Sequence, residues 1–275
     1  MADVTIYDYW RSSASYRVRI ALNLKGIEFK SVPVNLLDGS HQTKEHRQRN
    51  PQGFVPALAI DGMMMTQSLA IIEYLDSRVP QPPLLPADPA EAARLRAMAY
   101  VIAMDTHPIC NPSVVGHHAA AFDGDAEDKA AWMRYFIDKG LRAVEALAGH
   151  PATGTFLHGD APGLADIVLV PQLYNARRWG VALDDMPRLV AVEEACLSLP
   201  AFAAAAPEAS SGAPKVDAKA QRRAAAEQRQ LLAPLKKAAE KLEKELNKVS
   251  DLNAEVENAL FHHDAVAECV VFSCR

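Results

Sequence analysis

The chain is poor in cysteine and carries no large excess of charge of either sign. Its four cysteines lie far apart or near the end of the sequence and form no CxxC pair: Cys110, Cys196, Cys269 and Cys274. That spacing suits neither a metal site nor a redox disulfide, and it fits a reducing compartment. A formal net charge of -5 excludes the strongly basic field that binds nucleic acid. We therefore predict a cytoplasmic protein with no metal and no nucleic-acid partner.

The sequence also lacks long apolar runs. No window approaches the roughly 18 uninterrupted apolar residues of a membrane span, and the first ten residues show no basic segment followed by an apolar core. We expect neither membrane association nor a secretory signal. What is present is a composition of 49% hydrophobic and 23% charged residues, typical of a globular protein. The length suffices for two domains of ordinary size.

Strand and helix signals alternate over residues 1–82. Short apolar runs predict strands, and helical periodicity predicts helices, at Val4–Tyr9, Ser12–Leu24, Phe29–Leu36, Val55–Ile60, Met63–Met65 and Ser68–Leu75. The last two strands flank Asp61-Gly62, a strong hairpin signal. Pro56 at a strand start favours an edge position or a cis peptide bond. Together these elements predict an α/β domain with a small mixed sheet.

From residue 83 onward the signals become purely helical. Residues 83–89 are rich in proline and predict a linker. An all-helical domain is predicted over residues 90–208, with helices at Ala90–Asp105, Glu127–Ala148, Leu164–Arg178 and Leu189–Leu199. Residues 209–275 are predicted to form a helical, coiled-coil-like tail. The tail is either an extension that aids oligomerisation or a fusion remnant without function, and the pattern leaves both open.

A run of hydroxyl side chains opens the first predicted helix. Ser12, Ser13 and Ser15 stand where a helix leaves backbone N–H groups unpaired. A helix N-terminus carries partial positive charge and favours an anion, such as a thiolate. The alternative is that one of these serines only caps the helix, and this stretch by itself does not separate the two readings.

Further blocks follow at matching separations: Asn50–Pro56, Thr66–Leu75, Asp105–Asn111, Gly163–Asp166 and Val170–Arg178. With these blocks the chain resembles the zeta class of glutathione transferases, specifically the maleylacetoacetate isomerases, from about Val4 to Pro207. The resemblance implies a thioredoxin-like α/β N-terminal domain followed by an all-α C-terminal domain. It also implies glutathione as the cofactor and a homodimer as the assembly.

The resemblance assigns the nucleophile to the cofactor. Ser12, or its neighbour Ser13, would donate a hydrogen bond to the glutathione sulfur. Together with the helix dipole, that bond would lower the pKa of the thiol.

The rest of glutathione would be held by backbone and amide groups. Val55, ahead of a cis Pro56, would pair its backbone with the cysteinyl part of glutathione like an added strand. Gln67 and Ser68 would hold the γ-glutamyl carboxylate, and Gln42 would reach the glycyl end.

On the substrate side the resemblance implies a small dicarboxylate. The residues that would line this half of the cleft are His107, Asn111, Ser113 and Arg178, with Arg11 as a second cation near the thiolate. Arginine can clamp a carboxylate through two N–H groups. Arg178 is preferred to Arg177 by its alignment with the substrate arginine of the family. His107 is equally well explained as a packed structural histidine.

The implied reaction isomerises maleylacetoacetate to fumarylacetoacetate, in phenylalanine and tyrosine catabolism, by reversible addition of the glutathione thiolate to the double bond. Ser12, Ser13 and Arg178 are the predicted catalytic residues. The alternatives are isomerisation of maleylpyruvate and glutathione transfer or dehalogenation on small α-halo acids. A noncatalytic binding module is the alternative of another class.

The chain departs from the family pattern at three positions. Many members have cysteine where this chain has Ala14, a change that leaves the serine role intact. Pro112 replaces a straight-chain residue and is expected to bend or end the helix there. Gly163 stands where the family has a capping Ser or Thr before the buried Asp166, and glycine is a weaker cap.

Overall fold

A computed structural model describes residues 4–210 of the chain. All but the first two residues of the predicted tail lie outside the described residues. Within residues 4–210, no helix is long and apolar enough to cross a membrane.

The first part of the chain forms a four-stranded mixed sheet. Its strands are β1 (Thr5–Asp8), β2 (Lys30–Pro33), β3 (Ala57–Ile60) and β4 (Met63–Thr66), in the order β2-β1-β3-β4. Strand β1 pairs parallel with β2 and antiparallel with β3, and β3 pairs antiparallel with β4. The predicted hairpin is confirmed, because Asp61 and Gly62 both have positive φ and Ile60 pairs with Met63.

Two strands are shorter than the sequence pattern predicts. Strand β3 begins at Ala57 rather than Val55, because the Val55-Pro56 peptide bond is cis and proline has no N–H for the ladder. The sequence pattern left an edge position or a cis bond open, and the cis bond that the resemblance implied is confirmed. Strand β2 covers only Lys30–Pro33 of the predicted Phe29–Leu36.

Helices accompany the sheet, and every regular element described between residues 89 and 210 is helical. They are α1 (Ser13–Leu24), α2 (Lys44–Arg49), α3 (Ser68–Arg78), α4 (Pro89–Tyr100), α5 (His107–Ile109), α6 (Pro112–Ala121), α7 (Ala126–Leu147), α8 (Leu164–Arg178), α9 (Pro187–Leu197), α10 (Pro200–Ala203) and α11 (Pro207–Ser210). A 3₁₀ turn at Ser40–Gln42 precedes α2, and a π-helix at Val101–Thr106 joins α4 to α5. The predicted mixed and all-helical parts are confirmed; their exact domain limits stay a prediction.

Helix α8 lies at the centre of the core. Ile167, Val168, Leu169 and Leu173 are fully buried, and the Ser13 hydroxyl of α1 donates to the carbonyl of Pro171 within α8. The packing of α1 against α8 brings the N-terminal serines close to the helical part of the chain.

The N-terminus of α8 is capped from within its own first turn. Asp166 accepts hydrogen bonds from the backbone N–H groups of Leu157 and Gly163, at 2.9 and 2.8 Å. A Cβ at residue 163 would lie 2.8 Å from the carbonyl oxygen of Leu84, which already accepts from Leu164. Glycine at this position therefore permits the close approach of Leu84, and Asp166 compensates for the missing side-chain cap.

Arg19 links the sheet to the end of the described chain. Its guanidinium forms a buried ion pair with Asp8 at 2.5 Å. Its other two nitrogens donate to the carbonyls of Ala205 and Trp10, at 3.0 and 2.9 Å. A buried cation is stable in this position because every nitrogen of the guanidinium has a partner.

Candidate functional site

Ser12 and Ser13, at the start of α1, differ in exposure and in the hydrogen bonds that they form. Ser12 is the N-cap, partly exposed, and its Oγ accepts from the N–H of Ser15 at 3.3 Å. Ser13 is buried, and its hydroxyl donates to the Pro171 carbonyl at 3.4 Å. Since the Ser12 oxygen is used as an acceptor, its hydrogen remains available to a ligand. The geometry favours Ser12 over Ser13 as the residue that would meet an anion here.

Val55 presents unused backbone groups beside the cis bond. Among residues 4–210, no hydrogen bond uses the N–H or the carbonyl of Val55. Its neighbour Phe54 is held in place, because the Phe54 carbonyl contacts the side chains of His46 and Asn50 at 2.9 Å each. Buried backbone groups normally find partners, and free ones at the end of a strand suit an added extended peptide.

The N-terminus of α3 is the second predicted contact region. Gln67 has a positive φ of 68°, unusual for a residue with a side chain, and its amide donates to Gln52 at 2.7 Å. Ser68, the first residue of α3, is buried, and its Oγ accepts from Arg17 at 3.4 Å. Strained backbone of this kind concentrates at ligand sites, and the start of α3 favours an anion.

Gln42 lies in a loop that packs against Gly53, two residues before Val55. It is exposed, its Oε1 accepts from Arg47, and its amide packs over Gly53, where an added Cβ would lie 2.9 Å from Nε2. Gly53 also has a positive φ of 68°, so only glycine is unstrained at this turn. The described contacts do not bring Gln42 against Ser68 or Ser12.

Arg11 and Arg178 lie within electrostatic reach of each other near the N-terminus of α1. Arg11 stacks on the Trp10 ring at 4.7 Å and donates to the Tyr9 hydroxyl at 2.9 Å. Burial, followed by the nearby charge of Arg11, lowers the pKa of Arg178. Two positive charges that lie within electrostatic reach of each other favour an anionic ligand between or beside them.

Arg177 is already engaged by the protein itself. Its guanidinium binds both oxygens of Glu193, a buried residue of α9, at 2.5 Å each. Adjacent helical residues point in directions about 100° apart, so Arg177 contacts α9 while Arg178 lies over the Trp179 ring, within electrostatic reach of Arg11. The structure thus supplies a physical reason for the preference for Arg178 in the sequence analysis.

His107 follows directly on the π-helix. The turn is braced by Thr106, whose hydroxyl donates to the Val101 carbonyl at 2.8 Å, and by Gly140 of α7, where any Cβ would overlap the Thr106 hydroxyl. Burial and the charge of Arg17 lower the pKa of His107 to about 3. His107 is therefore neutral at physiological pH and lies within electrostatic reach of Arg17, while no described contact joins it to Arg178.

The neutral state of His107 predicts a loss of stability in acid. The unfolded chain binds a proton below pH 6.5, the ordinary pKa, while the folded chain does not until about pH 3. The free energy of unfolding should fall by about 1 kcal/mol from this group as the pH drops from about 7.5 to 5.5. Urea titrations at both pH values should show that His107→Gln reduces this fall. The exposed His117→Gln serves as the matched control; equal pH dependence in wild type and His107→Gln would contradict the prediction.

Asn111 and Ser113 are engaged in local capping. Asn111 is the N-cap of α6, and its Oδ1 accepts from the N–H and the hydroxyl of Ser113, at 3.0 and 2.8 Å. Pro112 ends the preceding helical path as predicted and occupies the first position of α6, where its missing N–H costs nothing. The substrate role of Asn111 and Ser113 stays a prediction.

Three residues that contribute to this site carried no role in the sequence analysis. They are Arg17, which contacts Ser68, and Tyr9 and Trp10, which hold Arg11. The aromatic pair directly before Arg11 was visible in the sequence as a platform for a cation. The burial of Arg17 could not be recognised from the sequence. Arg17 and Arg19 alternate with Val18 and Ile20, and this alternation shows no clear apolar face of the helix.

The described cysteines do not offer a protein nucleophile. Burial raises the pKa of Cys110 to about 11 and also raises the pKa of Cys196. Both are therefore protonated and covered at neutral pH. Among residues 4–210, no group of three or more His, Cys, Asp or Glu side chains could hold a metal ion. The chemistry that the site can support is binding and polarising an anion and a thiol supplied from outside.

Comparison with known proteins places these features in a family. The chain matches the model of the glutathione S-transferase N-terminal domain over residues 2–77 and that of the C-terminal domain over residues 121–195. A maleylacetoacetate isomerase of Rhizobium meliloti (strain 1021) is 55% identical over 210 residues, which is 76% of this chain and 98% of that protein.

Solved structures agree with this similarity. A maleyl pyruvate isomerase, described as a bacterial glutathione S-transferase of the zeta class, has a TM-score of 0.75 at 41% identity and covers 76% of this chain and 100% of its own. A maleylacetoacetate isomerase of Anaeromyxobacter dehalogenans with bound dicarboxyethyl glutathione and citrate has a TM-score of 0.69 at 41% identity and covers 78% and 96%. This chain belongs to the zeta-class glutathione S-transferase and maleylacetoacetate isomerase family.

Proposed function

We propose that this protein catalyses the glutathione-dependent cis–trans isomerisation of maleylacetoacetate to fumarylacetoacetate. The observation that carries the proposal is that two positive charges, Arg11 and Arg178, lie within electrostatic reach of each other, and that Arg11 directly precedes Ser12, the N-cap of α1. This arrangement offers cations for a dicarboxylate beside a hydrogen-bond donor for a thiolate. A relative that shares 55% of its residues bears the name of this activity.

The residues present fit glutathione. Val55 offers a free N–H and carbonyl to a peptide backbone, and the start of α3, with Gln67 and Ser68, offers donors to a carboxylate. Gln42, in the loop over Gly53, is exposed toward the other end of such a peptide. A solved relative holds a glutathione derivative together with citrate, and a thiol tripeptide with two carboxylates suits these groups.

The protein residues divide the work between thiol and substrate. When bound, glutathione supplies a thiolate that adds reversibly to the conjugated double bond and so permits rotation about it. Ser12 donates a hydrogen bond from its hydroxyl to the glutathione sulfur. Together with the dipole of α1, this bond favours the thiolate over the thiol. Arg178 and Arg11 bind the carboxylates and stabilise negative charge that develops on the keto acid. His107, being neutral, adds no charge to this site.

Turnover with and without glutathione tests the proposal. The conversion of maleylacetoacetate is followed by absorbance, with fumarylacetoacetate hydrolase as the coupling enzyme. We expect turnover only when glutathione is present, because the chain supplies no ionised thiol of its own among the described residues. Turnover at an equal rate without glutathione would contradict the proposed mechanism.

Maleylpyruvate is the second candidate substrate. It undergoes the same reaction on a shorter keto acid, and the solved maleyl pyruvate isomerase is 41% identical to this chain. A higher kcat/KM for maleylpyruvate than for maleylacetoacetate would move the physiological assignment to it. Tight glutathione binding without turnover of either substrate would leave conjugation or dehalogenation of α-halo acids, or a noncatalytic role.

We also propose a cytoplasmic homodimer. Strand β4 lies at the edge of the sheet and exposes Met63 and Met64, 46% and 42% accessible. An edge strand offers unpaired backbone groups to which a second chain can bind, and the exposed methionines add apolar surface to such a contact. The molar mass in solution, measured by light scattering, tests the assembly, and fractionation of cells tests the location.

A further inference from the structure

Arg17 is a buried cation with most of its guanidinium unpartnered. The residue is 1% exposed, and its only described hydrogen bond is from Nη1 to the Ser68 hydroxyl at 3.4 Å. Nε and Nη2 are buried without any partner among the described residues. Burial lowers the pKa of Arg17 to about 10, which still leaves it protonated at neutral pH.

The neighbouring Arg19 shows what a structural arginine looks like in this fold. Arg19 is equally buried, yet its guanidinium binds Asp8 and two carbonyl oxygens. No carboxylate among residues 4–210 pairs with Arg17. A buried charge that lacks partners is costly, so Arg17 calls for a compensating contact that residues 4–210 do not provide.

The position of Arg17 identifies where that contact would come from. Ser68 opens α3, a helix of 11 residues, and is itself buried. Because the Ser68 oxygen accepts from Arg17, the Ser68 hydrogen is left to donate elsewhere. Hydrogen bonds that follow one another in a chain polarise one another. The bond from Arg17 to the Ser68 oxygen therefore makes the Ser68 hydroxyl a stronger hydrogen-bond donor. The helix N-terminus, the serine and the buried cation all favour the same anion.

We propose that Arg17 is a positioning residue for glutathione, one that orients the Ser68 hydroxyl and supplies the buried positive charge that complements the γ-glutamyl α-carboxylate. The inference rests on the proposed use of glutathione and adds the source of charge for its γ-glutamyl end. Arg17 acts through Ser68, whereas Arg11 and Arg178 act on the substrate.

A ligand that lacks only this carboxylate gives a direct test. Calorimetry of the full chain compares glutathione with 4-aminobutyryl-cysteinylglycine, which is glutathione without the γ-glutamyl α-carboxylate. We expect Arg17→Met to raise the Kd for glutathione by about 30-fold, as for the loss of a charge-assisted hydrogen bond, and to leave the Kd of the analogue within about 3-fold. Arg17→Lys should recover part of the loss. Arg142→Met, at an exposed arginine of α7, is the matched control.

Stability and kinetics separate this role from a structural one. Since Met removes an unpartnered buried charge, the Tm of ligand-free Arg17→Met should equal or exceed that of the wild type. The KM for glutathione should rise, while kcat at saturating glutathione changes by less than about 3-fold.

Two outcomes would overturn the inference. One is a lower Tm of Arg17→Met with unchanged affinity for glutathione, which would make Arg17 structural. The other is an equal loss of affinity for glutathione and for the analogue. A wild type that binds neither ligand would instead refute the use of glutathione itself, a separate result.

Discussion

Ser12→Ala is expected to lower kcat/KM for maleylacetoacetate by about 100-fold, the size of one lost hydrogen bond to a charged group. Ser12 is the partly exposed N-cap of α1, and its hydroxyl hydrogen is not used within the described structure. Removal of the hydroxyl leaves only the helix dipole to favour the thiolate. The pKa of bound glutathione, read from thiolate absorbance against pH, should therefore rise by at least about 1.

Ser13→Ala is the matched control for this experiment. Ser13 is buried, and its hydroxyl is committed to the Pro171 carbonyl, so its removal should change kcat/KM by less than about 3-fold. Ser12→Thr keeps a hydroxyl and should recover part of the activity. A collapse of activity in Ser13→Ala with normal turnover in Ser12→Ala would transfer the thiolate role to Ser13.

Arg178→Ala is expected to lower kcat/KM for the dicarboxylate by about 100-fold while leaving the KM for glutathione nearly unchanged. Arg178 lies within electrostatic reach of Arg11, whose charge opposes its own. The variant should be at least as stable as the wild type, because a like-charge contact is removed. Steady-state kinetics and a thermal melt measure the two effects separately.

The adjacent Arg177→Ala should show the opposite pattern. Its loss leaves Glu193, 4% exposed, without the guanidinium that binds both of its oxygens. An orphaned buried carboxylate costs about 2 to 4 kcal/mol of folding stability, yet the substrate contacts remain. If Arg177→Ala lost activity and Arg178→Ala lost only stability, the assignment of the two arginines would be reversed.

The proposed contacts imply two separable electrostatic regions. One is the surface formed by Arg11 and Arg178, which has aromatic support and faces the substrate. The other is the inner region around Arg17, Ser68 and His107, where burial holds His107 neutral. Variants in the first region should change parameters for the keto acid, and those in the second should change parameters for glutathione.

Local sequence signals were sufficient for much of the fold. The Asp61-Gly62 hairpin depends on two adjacent residues that accept positive φ, and proline at residue 56 permits a cis bond. The helix at Leu164–Arg178 begins after a glycine and has Asp166 in its first turn. Such features are encoded within a few residues, so they can be recognised without the tertiary structure.

Other elements have no comparable local signal. Helix α2, KEHRQR, is polar and short, and contacts of buried His46 with the Phe54 carbonyl and of Arg49 with the Tyr7 ring hold it in place. The π-helix at Val101–Thr106 interrupts a helix predicted to run through Asp105, and Gly140 of another helix permits the close packing of Thr106. Both depend on residues distant in the sequence.

By itself the sequence indicated the four strands and most of the longer helices, and through its family resemblance it proposed a set of side chains for binding a thiol and a dicarboxylate. Only the tertiary structure decided among neighbours within that set. Ser12 differs from Ser13 because Pro171 of α8 accepts from one of them, and Arg178 differs from Arg177 because Glu193 of α9 engages the other. Arg17 differs from Arg19 because Asp8 lies beside only one. The residue type fixes which hydrogen bonds and ion pairs a side chain can form. Whether the side chain is free to form them with a ligand depends on which distant groups of the protein it already contacts.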